Sequence, residues 1–135
     1  GASGVRLGTR FVASEEADFH PDYKAALVAA GPGDTVLTEA FSALWPDAPH
    51  RVLRSAVAAA EARAEPVTGT MSAGAERIAV PRLAGFAPVG DAEGAIDAMA
   101  LFAGEGVGAI DAVLPAGEIV ARFAAALDRG RPALQ

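Results

Sequence analysis

The sequence predicts an α/β fold in which helices dominate and the β layer is incomplete. Three observations carry this expectation. Four segments place apolar residues at helical spacing between clear start and stop residues, two segments near the start read as strands, and the later β-like stretches are broken by Pro and Gly.

Taken in order, "GVRLGTRF" opens the chain, and residues 4–7 read as a short buried strand that ends in a turn at Gly8. In "PDYKAALVAAGPG", Pro21 suits a first helical turn, Tyr23, Ala26, Leu27 and Ala30 share a face, and Gly31 with Pro32 stops the helix. "DTVLTEAF", residues 34–41, alternates as a strand does, with Thr35, Leu37 and Glu39 on one side. Pro46 and Pro49 then force a loop over residues 42–50, in which Trp45 is expected to cover apolar surface. A second helix follows through "LRSAVAAAEARAE", with Leu53, Ala56, Val57 and Ala60 on one face and a stop before Pro66. Residues 67–90, interrupted by Gly69, Gly74, Gly85, Gly90, Pro81 and Pro88, read as the most loop-like part of the chain. Two further helices are expected. One runs over 91–104 from an Asp91 N-cap, with Ala92, Ile96, Met99 and Ala103 at helical spacing; the other starts at Pro115 and aligns Ile119, Val120, Phe123 and Leu127 before Gly130.

Composition excludes several functions. With 135 residues, 52% hydrophobic and 21% charged, the chain suits one globular domain with a real core. A net charge of -6 and the lack of any Lys/Arg run argue against a nucleic-acid surface. Without cysteine there is no disulfide, iron–sulfur cluster or thiol nucleophile, and the isolated His20 and His50 do not make a structural zinc site. No apolar run reaches the roughly 18 residues of a bilayer span and no signal-peptide pattern is present, so the expectation is a cytoplasmic protein with no membrane association. No internal repeat is found.

Three places have chemistry to offer. A Gly8–Thr9 turn after a strand has the makings of an anion-binding nest, because Gly lets a ligand approach the backbone and the Thr hydroxyl adds a donor; ordinary turn chemistry explains it too. Arg10 beside it adds charge or pairs with Glu15 or Glu16. In "HPDYK", Tyr23 reads first as the packed face of its helix with a wet hydroxyl and Lys24 as a solvated charge, while His20 reads as a cap or surface residue before it reads as a general base. His50, between Pro49 and Arg51, has no stronger claim. In "AGEGVG", residues 103–108, the glycines allow close backbone approach to a ligand or simply end a helix, and Glu105 contributes a carboxylate.

"GASGVRLGTRFVASEE", "HPDYKAALVAAGPGDTVLTEAFS" and "AMALFAGEGVGAIDAVLPAGEIV", in that order, resemble the C-terminal part of the nitronate monooxygenases. These flavoproteins, also called 2-nitropropane dioxygenases, are similar to the FMN-dependent enoyl-acyl-carrier-protein reductases. The resemblance implies the C-terminal portion of a (β/α)8 TIM barrel with a smaller inserted helical α/β domain. Residues 1–30 become the last barrel strand and its helix, 31–90 the inserted substrate-side segment, and 91–135 the helices returning to the barrel. It also implies non-covalent FMN, with Arg6, Leu7, Gly8 and Thr9 at the phosphate and Tyr23 and Lys24 on the substrate side. Two positions depart from the family pattern: Arg6 stands where many relatives have Gln, and Gly104-Glu105 where Gly-Gln is usual.

A complete barrel needs at least about 200 residues, so the expectation is a partial enzyme, and the resemblance implies that the catalytic His lies upstream of this chain. The implied reaction is oxidation of an alkyl nitronate with dioxygen, and the alternative is reduction of an enoyl thioester. A different class, a non-catalytic interaction module, is expected to expose a strand edge and helix faces and so to form homo-oligomers.

Overall fold

A computed structural model describes residues 5–130 of the chain. Gly4, in the expected opening strand, and residues 131–135, in the expected C-terminal segment, lie outside the described residues. The elements in chain order are α1 (Thr9–Val12), α2 (Pro21–Ala29), β1 (Thr35–Thr38), β2 (His50–Leu53), α3 (Arg54–Ala62), β3 (Val67–Ala73), β4 (Glu76–Pro81), β5 (Glu93–Gly94) and α4 (Ala116–Gly130), with 3-10 turns at Ile96–Ala98 and Glu105–Ala109.

The middle of the chain is organised around β2. It pairs antiparallel with β1, Val36 opposite Val52 and Leu37 opposite Arg51. Its other edge takes up residues 101–103: Val52 and Phe102 form a bridge, Leu53 N–H donates to Leu101 O at 2.9 Å, and Ala103 N–H donates to Arg51 O at 3.1 Å. Helices α2 and α3 bury Tyr23, Leu27, Ala56 and Ala60 against Val52, Leu53 and the run from Ala98 to Ala103. Helix α2 starts as its residues dictate, with Pro21 in the first turn and the His20 Nδ1 accepting from Asp22 N–H at 3.1 Å.

A second, three-stranded sheet has the order β4-β3-β5 and packs Met71 and Val80 on Ala92, Ile96 and Met99. Its β3–β4 hairpin replaces the first part of the loop expected over residues 67–90, while residues 82–90 lie in no strand or helix, as expected. Ala73 pairs with Glu76 across a two-residue turn in which Gly74 has φ +67, a left-handed conformation that glycine adopts without strain. Gly69 does not interrupt β3; it permits the sheet. It faces Gly94 of β5, and a Cβ on it would run into the Glu93 carbonyl oxygen.

The helix expected over 91–104 is also replaced. This stretch is β5, one 3-10 turn and then extended chain, with Met99, Ala100, Leu101 and Ala103 all buried. Burial of consecutive residues is the reason: an apolar run enclosed on all sides satisfies helical spacing and extended chain equally, and the β2 edge supplies its hydrogen bonds. Asp91 caps no helix. Its carboxylate accepts from the Ser72 N–H and hydroxyl, and Arg77 reaches Asp91 and Glu93 at 3.3 and 3.1 Å.

Three further expectations fail at the surface. Residues 5–7 are irregular rather than a strand, because among the described residues no strand runs beside them to complete a ladder. Trp45 covers nothing in its loop; it is 76% exposed, beside an exposed Leu44. In α4, Ile119 is buried as expected, but Val120 and Leu127 are exposed.

Candidate functional site

The start of the chain and the "AGEGVG" stretch meet. Gly104 N–H donates to Thr9 Oγ1 at 2.9 Å, across a separation of 95 residues. Thr9 opens the single turn of α1, and that turn is anchored from behind: Arg10 donates to the carbonyls of Ala13 and Ala112 at 3.0 and 2.6 Å, and Glu15 N–H donates to Leu114 O. Arg10 therefore does not pair with Glu15 or Glu16. Glu16 instead accepts from Ala116 N–H at the start of α4, where a carboxylate complements the helix dipole.

Thr9 Oγ1 accepts from Gly104, and among the described residues its own O–H proton has no acceptor. A Cβ added to Gly8 meets nothing within 4 Å, and the same holds at Gly106, so the backbone can be approached closely at both positions. Arg6 and Gly8 are exposed, with Leu7 and Thr9 half-buried between and beside them. Glu105, next to Gly104, carries its carboxylate to Arg51 of β2, Oε1 to Nη2 2.8 Å, and Arg51 Nη1 also donates to the buried Thr35 hydroxyl at 3.3 Å. The geometry is a polar corner built from three distant parts of the chain: a hydroxyl with a free proton, two open glycines and one ion pair.

The remaining sequence candidates hold the frame of this corner. Tyr23 is 1% exposed and its hydroxyl donates to Phe102 O at 2.6 Å, so the hydroxyl is not wet. Burial pushes its ionisation far above the ordinary tyrosine value. Lys24 is not a free charge either: Nζ donates to Ser14 O at 2.6 Å and Glu15 O at 3.3 Å. His20 caps α2. His50 lies edge-on to Phe102 with centroids 5.4 Å apart, its Nδ1 2.8 Å from Ala48 O and its Nε2 buried without a partner. An open groove along α2, lined by Phe19, Pro21, Ala25, Val28 and Val113, brings no polar groups together apart from Lys24, which is already engaged. Among the described residues no three His, Asp or Glu side chains converge as a metal ion would require, and no helix is long and apolar enough to cross a membrane.

Arg51 is the participant that sequence reasoning missed. No local spacing joins it to Glu105; only the ladder that sets residues 101–103 against β2 does so.

The nitronate monooxygenase family model matches residues 1–125, and the chain belongs to that family of FMN-dependent oxidoreductases. No curated protein matches it. Among solved structures it is similar to the FabK M276A variant from Thermotoga maritima, with 28% identity and a TM-score of 0.58 over 96% of this chain. The chain spans 35% of the length of that FabK chain, and its described residues do not form a barrel.

Proposed function

We propose that this chain forms the FMN-phosphate end and adjoining cover of an FMN-dependent oxidoreductase that oxidises alkyl nitronates with dioxygen. The observation that carries the reading is the Gly104–Thr9 hydrogen bond, which joins "RLGTRF" and "AGEGVG", parts of two of the stretches that carry the resemblance.

The residues present fit a phosphate. Gly8 has open space where a side chain would stand, Thr9 has a free O–H proton, and Arg6 adds an exposed cation at the same corner. Arg6, Leu7, Gly8 and Thr9 are assigned to hold the phosphate group. Gly104 fixes the Thr9 rotamer, and Tyr23 fixes the segment that carries Gly104 by binding the Phe102 carbonyl. Tyr23 and Lys24 thereby shape the substrate side from behind. Bound FMN supplies the electron-transfer and dioxygen chemistry that amino-acid side chains lack.

In this proposal residues 1–30 close a (β/α)8 barrel, 31–90 form the inserted substrate-side segment, 91–135 return to the barrel, and the catalytic His comes from another part of the polypeptide. Reduction of an enoyl thioester is the second reading, favoured by the likeness to FabK.

The test uses the full-length natural protein. Oxygen consumption with an alkyl nitronate, without NAD(P)H oxidation on an enoyl thioester, supports the first reading, and the converse supports the second. Thr9→Val is expected to weaken FMN retention by about tenfold, the value of one hydrogen bond to a charged group. Unchanged retention removes Thr9 from the phosphate.

A further inference from the structure

The polar corner contains a charge that opposes the ligand assigned to it. Glu105 follows Gly104 directly, and Gly104 N–H is bonded to Thr9. Consecutive Cα atoms stand about 3.8 Å apart, so the Glu105 carboxylate belongs to the immediate neighbourhood of Thr9. Its side chain is largely exposed. Left free to rotate there, it would repel a phosphate and compete for the Thr9 proton.

It is not left free. Arg51 Nη2 holds the carboxylate at 2.8 Å, and Arg51 is itself oriented by the buried Thr35 hydroxyl. The backbone of Arg51 is fixed from both sides, opposite Leu37 in β1 and through the Ala103 N–H bond to its carbonyl. One residue of β2 thus grips residues 103–105 twice, once by its carbonyl and once by its guanidinium. Exposed ion pairs of this kind contribute little to stability, so stability is a weak account of the arrangement. Charge placement is a better one.

We infer that Arg51 is a positioning and specificity residue: by neutralising Glu105 and drawing it onto β2, it makes the Thr9–Gly104 corner receptive to an anion and so sets the preference for a phosphorylated over an unphosphorylated flavin. The inference rests on the phosphate reading above and adds to it the residue that controls the charge of the corner. With Arg51 removed, a free carboxylate faces the phosphate. With Glu105 also made neutral, no charge needs holding and the preference returns.

The experiment is titration of full-length apoprotein with FMN and with riboflavin, followed by flavin fluorescence, for the parent protein and for Arg51→Gln, Arg51→Lys, Glu105→Gln and the Arg51→Gln/Glu105→Gln pair. Arg51→Gln is expected to weaken FMN by about fivefold, from one uncompensated charge several ångströms from a dianion in partly screened surroundings, and to leave riboflavin unchanged. Raised salt is expected to shrink that loss. Arg51→Lys, which keeps the charge, is expected to retain most of the preference, and the double variant to recover it. The inference is overturned if Arg51→Gln weakens FMN and riboflavin alike, or if Glu105→Gln does not rescue it, because either result marks a packing defect. Circular dichroism on each variant identifies a fold that has been lost, and in that case Arg51→Lys and Glu105→Gln decide the matter alone: Glu105→Gln must bind FMN at least as tightly as the parent. If the parent itself does not distinguish FMN from riboflavin, the phosphate reading fails first, and that outcome is separate from a failure at Arg51.

Discussion

Replacing Tyr23 by Phe removes one oxygen atom and asks whether Tyr23 is a strut or a substrate group. In the structure its hydroxyl is enclosed with the ring and donates to Phe102 O at 2.6 Å. The ring also meets Phe19 edge-on, centroids 5.5 Å apart, and that contact survives the change. What is lost is one short hydrogen bond, and what is left is a carbonyl without that partner. A buried acceptor stripped of its donor costs about 1–3 kcal/mol, and the small void adds little, so the expected loss is about 2 kcal/mol. For a chain of this length that corresponds to a fall in Tm of about 8 °C, or to a lower urea midpoint at unchanged slope. Substrate KM is expected to stay put, with FMN retention reduced only slightly through the segment that carries Gly104. Unchanged stability together with a raised KM would refute the reasoning and return the hydroxyl to the substrate.

Gly69→Ala is expected to destabilise by about 1–3 kcal/mol, since its Cβ would meet the Glu93 carbonyl and push β5 off β3; a urea midpoint equal to the parent's would mean that β5 does not pair there. The Ser72 hydroxyl, then its N–H, hold the Asp91 carboxyl below the ordinary carboxylate range. A carboxyl depressed in the folded state stabilises above its unfolded value of about 3.9, and the contribution fades as pH falls through the folded value. Ser72→Ala should therefore flatten stability against pH on the acid side of about pH 4 and leave the pH 7 to 9 range parallel to the parent, as followed by thermal melts. Trp45, the single indole, should be quenched efficiently by acrylamide, and Trp45→Ala should change stability by less than about 0.5 kcal/mol; a shielded indole would show that the loop folds back on the body.

The parts of the fold that were legible carry their own punctuation. Helix α2 lies between Pro21 and Gly31, α3 ends ahead of Pro66, α4 follows Pro115, and β1 falls inside the alternating residues 34–41. The β3–β4 hairpin was hidden because Gly69, Gly74 and Pro81 look like breaks, although one is a turn, one a close approach and one a strand end. The extended run to Ala103 was hidden by its uniformity: alanine-rich apolar chain satisfies a helical period wherever the period is tested. At the candidate site, Gly8 and Thr9 were visible as a turn with a hydroxyl, and Glu105 as a carboxylate among glycines. Arg51 was not visible at all.

Local chemistry accounts for that division. Caps, stops and periods act within a few residues, so the chain's order states them directly, and with them the α/β class and the helices that bury Tyr23, Leu27, Ala56 and Ala60. The corner where Thr9 meets Gly104 and Arg51 meets Glu105 depends on residues 101–103 adding to the edge of β2. That pairing is set by which buried backbone groups lack partners once the core has closed, a condition no short stretch of sequence contains.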